Sequence, residues 1–248
     1  DRSNASSEIE LDGALAYRLG DEGRGVATII EMVNRTRLDC ALGAAAQMRH
    51  GLVEAVHHSR HRQAFGKTLV EQPLMRSVLA DLAVESEAAT LAAMRLAGAY
   101  DRSEVDFARL ATPIVKYWLT KRSPGHAAEA LECLGGSGYV EDSGMPRLFR
   151  QSPLNSIWEG SGNVISLDVL RAVVRSPEAV AAFVGELETA AGADPRFDAA
   201  LFRWRDTLSD GDEAGARRLV ERAAVLLQAS LLLRYSLAEV ADLFVATR

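Results

Sequence analysis

Glu159 stands between a bulky apolar pair, Ile157 and Trp158, and a run of small residues, Gly160-Ser161-Gly162-Asn163, just ahead of an apolar helical pattern. An isoleucine and an indole beside a carboxylate strip water from it, which raises its pKa toward the range in which it works as a base. Gly160 and Gly162 let a ligand approach the backbone closely, while Ser161 and Asn163 offer polar contacts and a helix start. The plainer alternative is that Glu159 and Ser161 cap the helix, because acidic residues are favoured near helix N-termini.

Two other stretches carry chemistry. Gly135-Gly136-Ser137-Gly138 closes a helical pattern; it is either a stop signal or a place where backbone amides crowd against a phosphate or a ring. It lacks the Lys-Ser/Thr ending of a phosphate-binding loop and does not follow a strand, so a nicotinamide site is not expected. Arg62 precedes Phe65-Gly66 by three residues, which sets a guanidinium and a ring at one helix end, suited to a pyrophosphate and a flat heterocycle. The alternative there is a surface arginine with Phe65 plugging the core. His57, His58 and His61 have no carboxylate or cysteine at ligand spacing, and Cys40 and Cys133 lie far apart, so no metal site is expected.

These groups need a scaffold, and apolar spacing of three and four supplies it. Val26 to Val56 predicts a long helix ending near His58, and Pro73 opens a second with Leu79, Leu82, Ala89 and Leu96 inward. A third is expected from Arg109 to Leu134, an irregular connection from Tyr139 to Pro153, and a fourth helix from Ile157 to Val174. Short connections between long helices predict an all-α, four-helix up-and-down bundle. Past Ser176-Pro177, shorter alanine-rich helices over 177–191, 195–209, 213–230 and 236–247 read as an appended helical subdomain.

The chain has 248 residues and a net charge of −6, which disfavours a nucleic-acid binder over its whole surface. No apolar run is long enough for a membrane span and no secretory signal is visible, so a cytoplasmic location is expected. The polar opening, with Ile9, Leu11 and Leu15 as a short strand or turn, reads as a piece of a longer protein.

In order and spacing, Arg35-Thr36-Arg37, Arg62-Gln63-Ala64-Phe65-Gly66-Lys67, Leu79-Ala80-Asp81-Leu82, Gly135-Gly136-Ser137-Gly138-Tyr139, Arg147-Leu148-Phe149-Arg150 and Trp158-Glu159-Gly160 resemble the C-terminal helical half of acyl-CoA dehydrogenases. The Asn155 to Asn163 core, Leu167-Asp168-Val169-Leu170-Arg171 and the tail near Arg196 resemble the AidB-like branch of that family, associated with bacterial alkylation defence. The resemblance implies an FAD enzyme that removes an α-proton from an acyl-CoA thioester with Glu159 as base. It places Gly160 and Arg37 by the substrate, and Trp158, Ser161, Gly162 and Asn163 by the flavin. It also implies that Arg62 and Phe65 contact FAD, with Gly135 and Gly136 approaching the same cofactor from a neighbouring subunit of a homotetramer. Residues 1–20 would be the tail of an upstream β domain and 21–175 the helical bundle. Relatives carry Gln where this chain has Glu132, Tyr at Trp158, Thr at Ser161 and a hydroxyl residue at Ala64, which implies a narrowed substrate pocket.

In that branch the region matching 176–248 is associated with double-stranded DNA. Here it holds eight arginines against eleven carboxylates from residue 180 onward, so any DNA patch would have to be local, built from Arg203, Arg205, Arg217, Arg218 and Arg222. The alternative is that the tail caps an oligomer.

Overall fold

Alanine at inward positions does two things at once here: it favours helix, and it lets helix axes approach closely. In the computed structural model, which describes residues 7–208 and 212–248, helix α1 (Gly25–His61) buries Ala41, Ala44, Ala45, Met48 and Ala55. Helix α2 (Pro73–Asp101) answers with Ala88, Ala89, Ala92, Ala93 and Leu96. Between them lies α3 (Val105–Cys133), whose Leu110, Ala111, Ile114, Val115 and Leu119 are fully enclosed and which touches α1, α2, α6 (Gly162–Arg175), α7 (Pro177–Glu188) and α9 (Ala216–Tyr235). The all-α bundle expected from the periodicity is present.

The connections differ from the reading in instructive ways. Helix α1 passes into α2 through a two-residue hairpin, β1 (Gln63–Ala64) against β2 (Lys67–Thr68), with Phe65 and Gly66 at its tip. The stretch read as irregular, Tyr139 to Pro153, contains α5 (Met145–Gln151), and α4 (Gly136–Tyr139) leads into it; both are too short to show a helical period. The third helix begins at Val105, four residues before the predicted Arg109. The fourth begins at Gly162 and not at Ile157, because Glu159 and Gly160 have φ of +59° and +107°, outside any right-handed helix. Ile9, Leu11 and Leu15 form no strand; they lie exposed, as a single extended segment with no ladder partner does. Residues 1–6 and 209–211, which include the polar opening and the end of the predicted 195–209 helix, lie outside the described residues.

Beyond residue 176, α7, α8 (Pro195–Asp206), α9 and α10 (Ala238–Thr247) share one continuous hydrophobic core with the bundle. Phe183 of α7 is the join: its ring stacks at 6.0 Å on Phe107 of α3 and lies 5.9 Å from the indole of Trp204 on α8. A buried ion-pair hub reinforces it. Glu186 on α7 accepts from Arg95 of α2 and Arg234 of α9, at 2.8 and 2.7 Å.

Candidate active site

Glu159 lies on a turn whose backbone is held by two cations. Arg37 on α1 donates from Nε to the Glu159 carbonyl at 3.0 Å, and Lys116 on α3 donates from Nζ to the Gly160 carbonyl at 2.7 Å. A left-handed φ at a glutamate costs roughly 1–2 kcal/mol, so such a turn persists only if its surroundings hold it. Both cations are enclosed, with Arg37 at 8% and Lys116 at 1% exposure. Arg37 is itself anchored, since its Nη1 donates to Asp168 of α6 at 2.8 Å and Arg109 of α3 reaches the other oxygen of the same carboxylate at 3.1 Å. Burial alone would raise the Asp168 carboxyl, but the hydrogen bonds and charges of the two arginines outweigh it and hold it below the usual range.

The Glu159 side chain is half-buried and makes no hydrogen bond or ion pair among the described residues. Its nearest polar surroundings are the enclosed thiol of Cys40 on α1 and the Lys116 ammonium. Burial pushes the Lys116 pKa down to about 8 and raises the Cys40 thiol. The enclosed wall beside Glu159 is therefore formed by α1 and α3. Ile157 and Trp158, expected to strip the water, are 62% and 43% exposed and leave that side open.

The residues after the base are tied to the tail. Ser161 sits at the N-cap position but its hydroxyl caps nothing, so the capping alternative is not what this segment does. Gly162 is buried at a close junction, where an added Cβ would meet Lys121, Tyr117 and Arg217 at 2.9, 3.2 and 3.3 Å; it presents no open face for a cofactor. Asn163 accepts from Arg217 Nε of α9 at 2.9 Å, and Tyr117 donates to Glu221 of α9 at 3.0 Å. Burial and that bond push the Tyr117 phenol up to about 12, so it remains a donor.

The other expected residues gather elsewhere. Arg62 follows α1 directly, exposed and with no hydrogen-bond or ion-pair partner for its guanidinium among the described residues. Phe65 is 96% exposed at φ +54°, so it is not the core plug of the alternative reading. Gly135, at φ +58°, and Gly136 leave the backbone bare, with nothing within 4 Å of where a Cβ would stand. A cleft of about 790 Å3 opens beside Gly135 between Glu132, Tyr139 and Phe149. This end of the bundle is closed by its own core, in which Ala55, Leu79, Ala130 and Cys133 pack together. From Arg37 to Arg62, α1 advances about 37 Å. Arg62 and Phe65 follow the end of α1, and Gly135 and Gly136 follow the end of α3, so all four lie at the end of the bundle away from Glu159.

Through Nε and Nη1, Arg37 bridges the Glu159 carbonyl and Asp168, so it positions the turn. Sequence reasoning missed Lys116 and Asp168. Lys116 shares its helix face with Thr112, Leu119, Thr120 and Ser123, all buried, and that register was the available signal. Of the five arginines of the DNA patch, Arg205 pairs with Glu188 and Arg217 with Asn163.

Comparison with known proteins agrees with this fold. The profile described as acyl-CoA dehydrogenase, C-terminal domain, matches residues 23–174. The putative acyl-CoA dehydrogenase AidB of Escherichia coli K12 is 41% identical over 95% of this chain and 44% of its own length. Among solved structures, Caenorhabditis elegans ACDH-11 in complex with C11-CoA superposes with a TM-score of 0.82 at 30% identity, over 95% of this chain and 46% of that one. A Bacillus anthracis acyl-CoA dehydrogenase complexed with FAD shares the fold, with a TM-score of 0.77 at 16% identity over 92% of this chain and 48% of that one. The chain spans less than half the length of these relatives. It belongs to the acyl-CoA dehydrogenase family and carries that family's C-terminal helical domain.

Proposed function

We propose that this chain is the helical half of an FAD-dependent enzyme that dehydrogenates an acyl-CoA thioester, with Glu159 as the base. The observation that carries this reading is a half-buried carboxylate, with no hydrogen-bond or ion-pair partner among the described residues, on a left-handed turn whose two carbonyls are tied to enclosed cations. A carboxylate committed to a structural ion pair would not be available to accept a proton; this one is. The α-proton of the substrate passes to a Glu159 carboxylate oxygen, and the Arg37 and Lys116 bonds keep that side chain from swinging away. Gly160 leaves its backbone free of a side chain beside the thioester. The match to relatives bearing FAD and an acyl-CoA supports both ligands.

The residues fit the cofactor. A guanidinium at Arg62 with no partner among the described residues, an uncovered ring at Phe65 and bare backbone at Gly135 and Gly136 suit a pyrophosphate and a flat heterocycle. Trp158, Ser161 and Asn163 are exposed beside the base, where they would face the ring system. When bound, FAD accepts the hydride that leaves the β-carbon. Since about 37 Å of α1 separates the two groups, one cofactor is held by two copies of the chain, and we infer a homo-oligomer, a tetramer. The test is Glu159→Gln in the full-length protein, mixed anaerobically with short branched acyl-CoA thioesters. Flavin bleaching should disappear while flavin content stays the same; bleaching at the unaltered rate would sink the assignment.

A further inference from the structure

Helices α8, α9 and α10, with Trp118 of α3, line an open cavity of about 460 Å3 whose other lining residues all lie beyond residues 23–174. That volume lies within the range of small-molecule sites. Its walls are apolar: Phe197, Trp204 and Phe244 are buried beneath it, and Ala200, Val225 and Ala229 line its length. These residues recur at helical spacing on α8 and α9, so each helix gives the cavity one continuous face.

The rim is cationic, and its arginines are not equivalent. Arg196 is taken up by Asp194 and Asp242, at 2.6 Å each, and Arg248 by Asp81. Glu221, the carboxylate in the lining, accepts from Tyr117. Arg203 and Arg222 have no hydrogen-bond or ion-pair partner among the described residues. Arg203 lies near the end of α8 and Arg222 near the start of α9, so both stand at the mouth where the two helices are joined. From there to Arg196 and Ala229 the cavity runs about two helical turns, roughly 10 Å.

We propose that this cavity binds a medium-chain fatty carboxylate, its head group between Arg203 and Arg222 and its alkyl chain along the Phe197, Trp204 and Phe244 wall. The shape of the charge selects this class. Two guanidiniums with no partner among the described residues offer bidentate donors to a carboxylate at one end, while the charged groups elsewhere in the lining, Arg196, Glu221 and Arg248, are already paired. Inorganic phosphate would leave the apolar length empty. A DNA duplex would reach the rim but place nothing inside. This inference does not depend on the role of Glu159.

The test uses the 248-residue chain with Trp158→Phe as background, so that fluorescence reports Trp204 and Trp118. Decanoate below its micelle-forming concentration should saturate the signal. Arg203→Gln with Arg222→Gln should weaken binding about tenfold or more, and Ala200→Phe, which fills the cavity, should abolish it with the melting temperature kept. Decanol and inorganic phosphate should bind at least tenfold more weakly than decanoate. No saturation by decanoate overturns the proposal, as does equal affinity for decanol or indifference to the arginine changes. Retention of a DNA duplex through the same two arginines, without competition by decanoate, overturns it in favour of a nucleic-acid surface.

Discussion

At the scale of single residues, the Glu159 turn trades local stability for placement. Replacing Glu159 by glycine removes the left-handed penalty and should stabilise the chain by about 1 kcal/mol in thermal or urea unfolding while abolishing turnover in the full-length protein. Lys116 gives a second expectation. Its folded pKa of about 8 lies below the ordinary 10.5, so between those values the unfolded chain holds a proton that the folded chain has released. Stability from this group therefore rises with pH across that window. Lys116→Met should remove the rise, on the order of 2 kcal/mol after screening, seen as a flatter difference curve between pH 8 and 10. Glu159 was legible as a candidate because small and polar residues follow it directly, though the apolar pair before it proves exposed. Its supports were not: Arg37 and Lys116 lie far from it along the chain, and a lysine between Val115 and Tyr117 reads as a solvated charge until the packing of α1 on α3 encloses it.

At the scale of elements, long helices were readable because their burial repeats over many turns, and boundaries failed where a backbone angle decides them. Ile157 and Trp158 carry the apolar character of a helix start, yet the positive φ at Glu159 and Gly160 delays α6 to Gly162. The ion pairs that fasten helices to one another have no local signature at all. Glu186 is held below the usual carboxylate range because the hydrogen bonds and charges of Arg95 and Arg234 outweigh its burial, and Asp168 is held low in the same way by Arg37 and Arg109. Their contribution is complete above the ordinary values of 4.5 and 3.8 and is lost as pH falls through the lower folded values. Acid unfolding should accordingly begin earlier in Glu186→Gln, with a loss of about 3 kcal/mol at neutral pH, because two arginines are left without their partner.

At the scale of the whole molecule, exposure that has no use in one copy marks where another belongs. Phe65 contributes nothing to the core of this chain, so Phe65→Ala should leave the melting temperature within about 1 °C, while the full-length protein carrying it should lose flavin on gel filtration. The 248-residue chain by itself should purify without yellow colour, because it spans less than half of a relative that holds FAD; a stoichiometric flavin spectrum would show that this half suffices for the cofactor. The sequence could announce Phe65 and the glycines but not their distance from Glu159, which is set by the length of α1.

The bond from Arg217 to Asn163 and the one from Tyr117 to Glu221 join the start of α9 to the two residues on either side of Gly162 in space. Residues on opposite sides of the family boundary at 174 are therefore not free to drift separately. Among natural sequences with this arrangement, loss of the arginine at 217 should travel with replacement of the asparagine at 163. Grafting the tail onto a bundle that lacks that asparagine should yield a protein with a loosened catalytic turn, even if every helix forms.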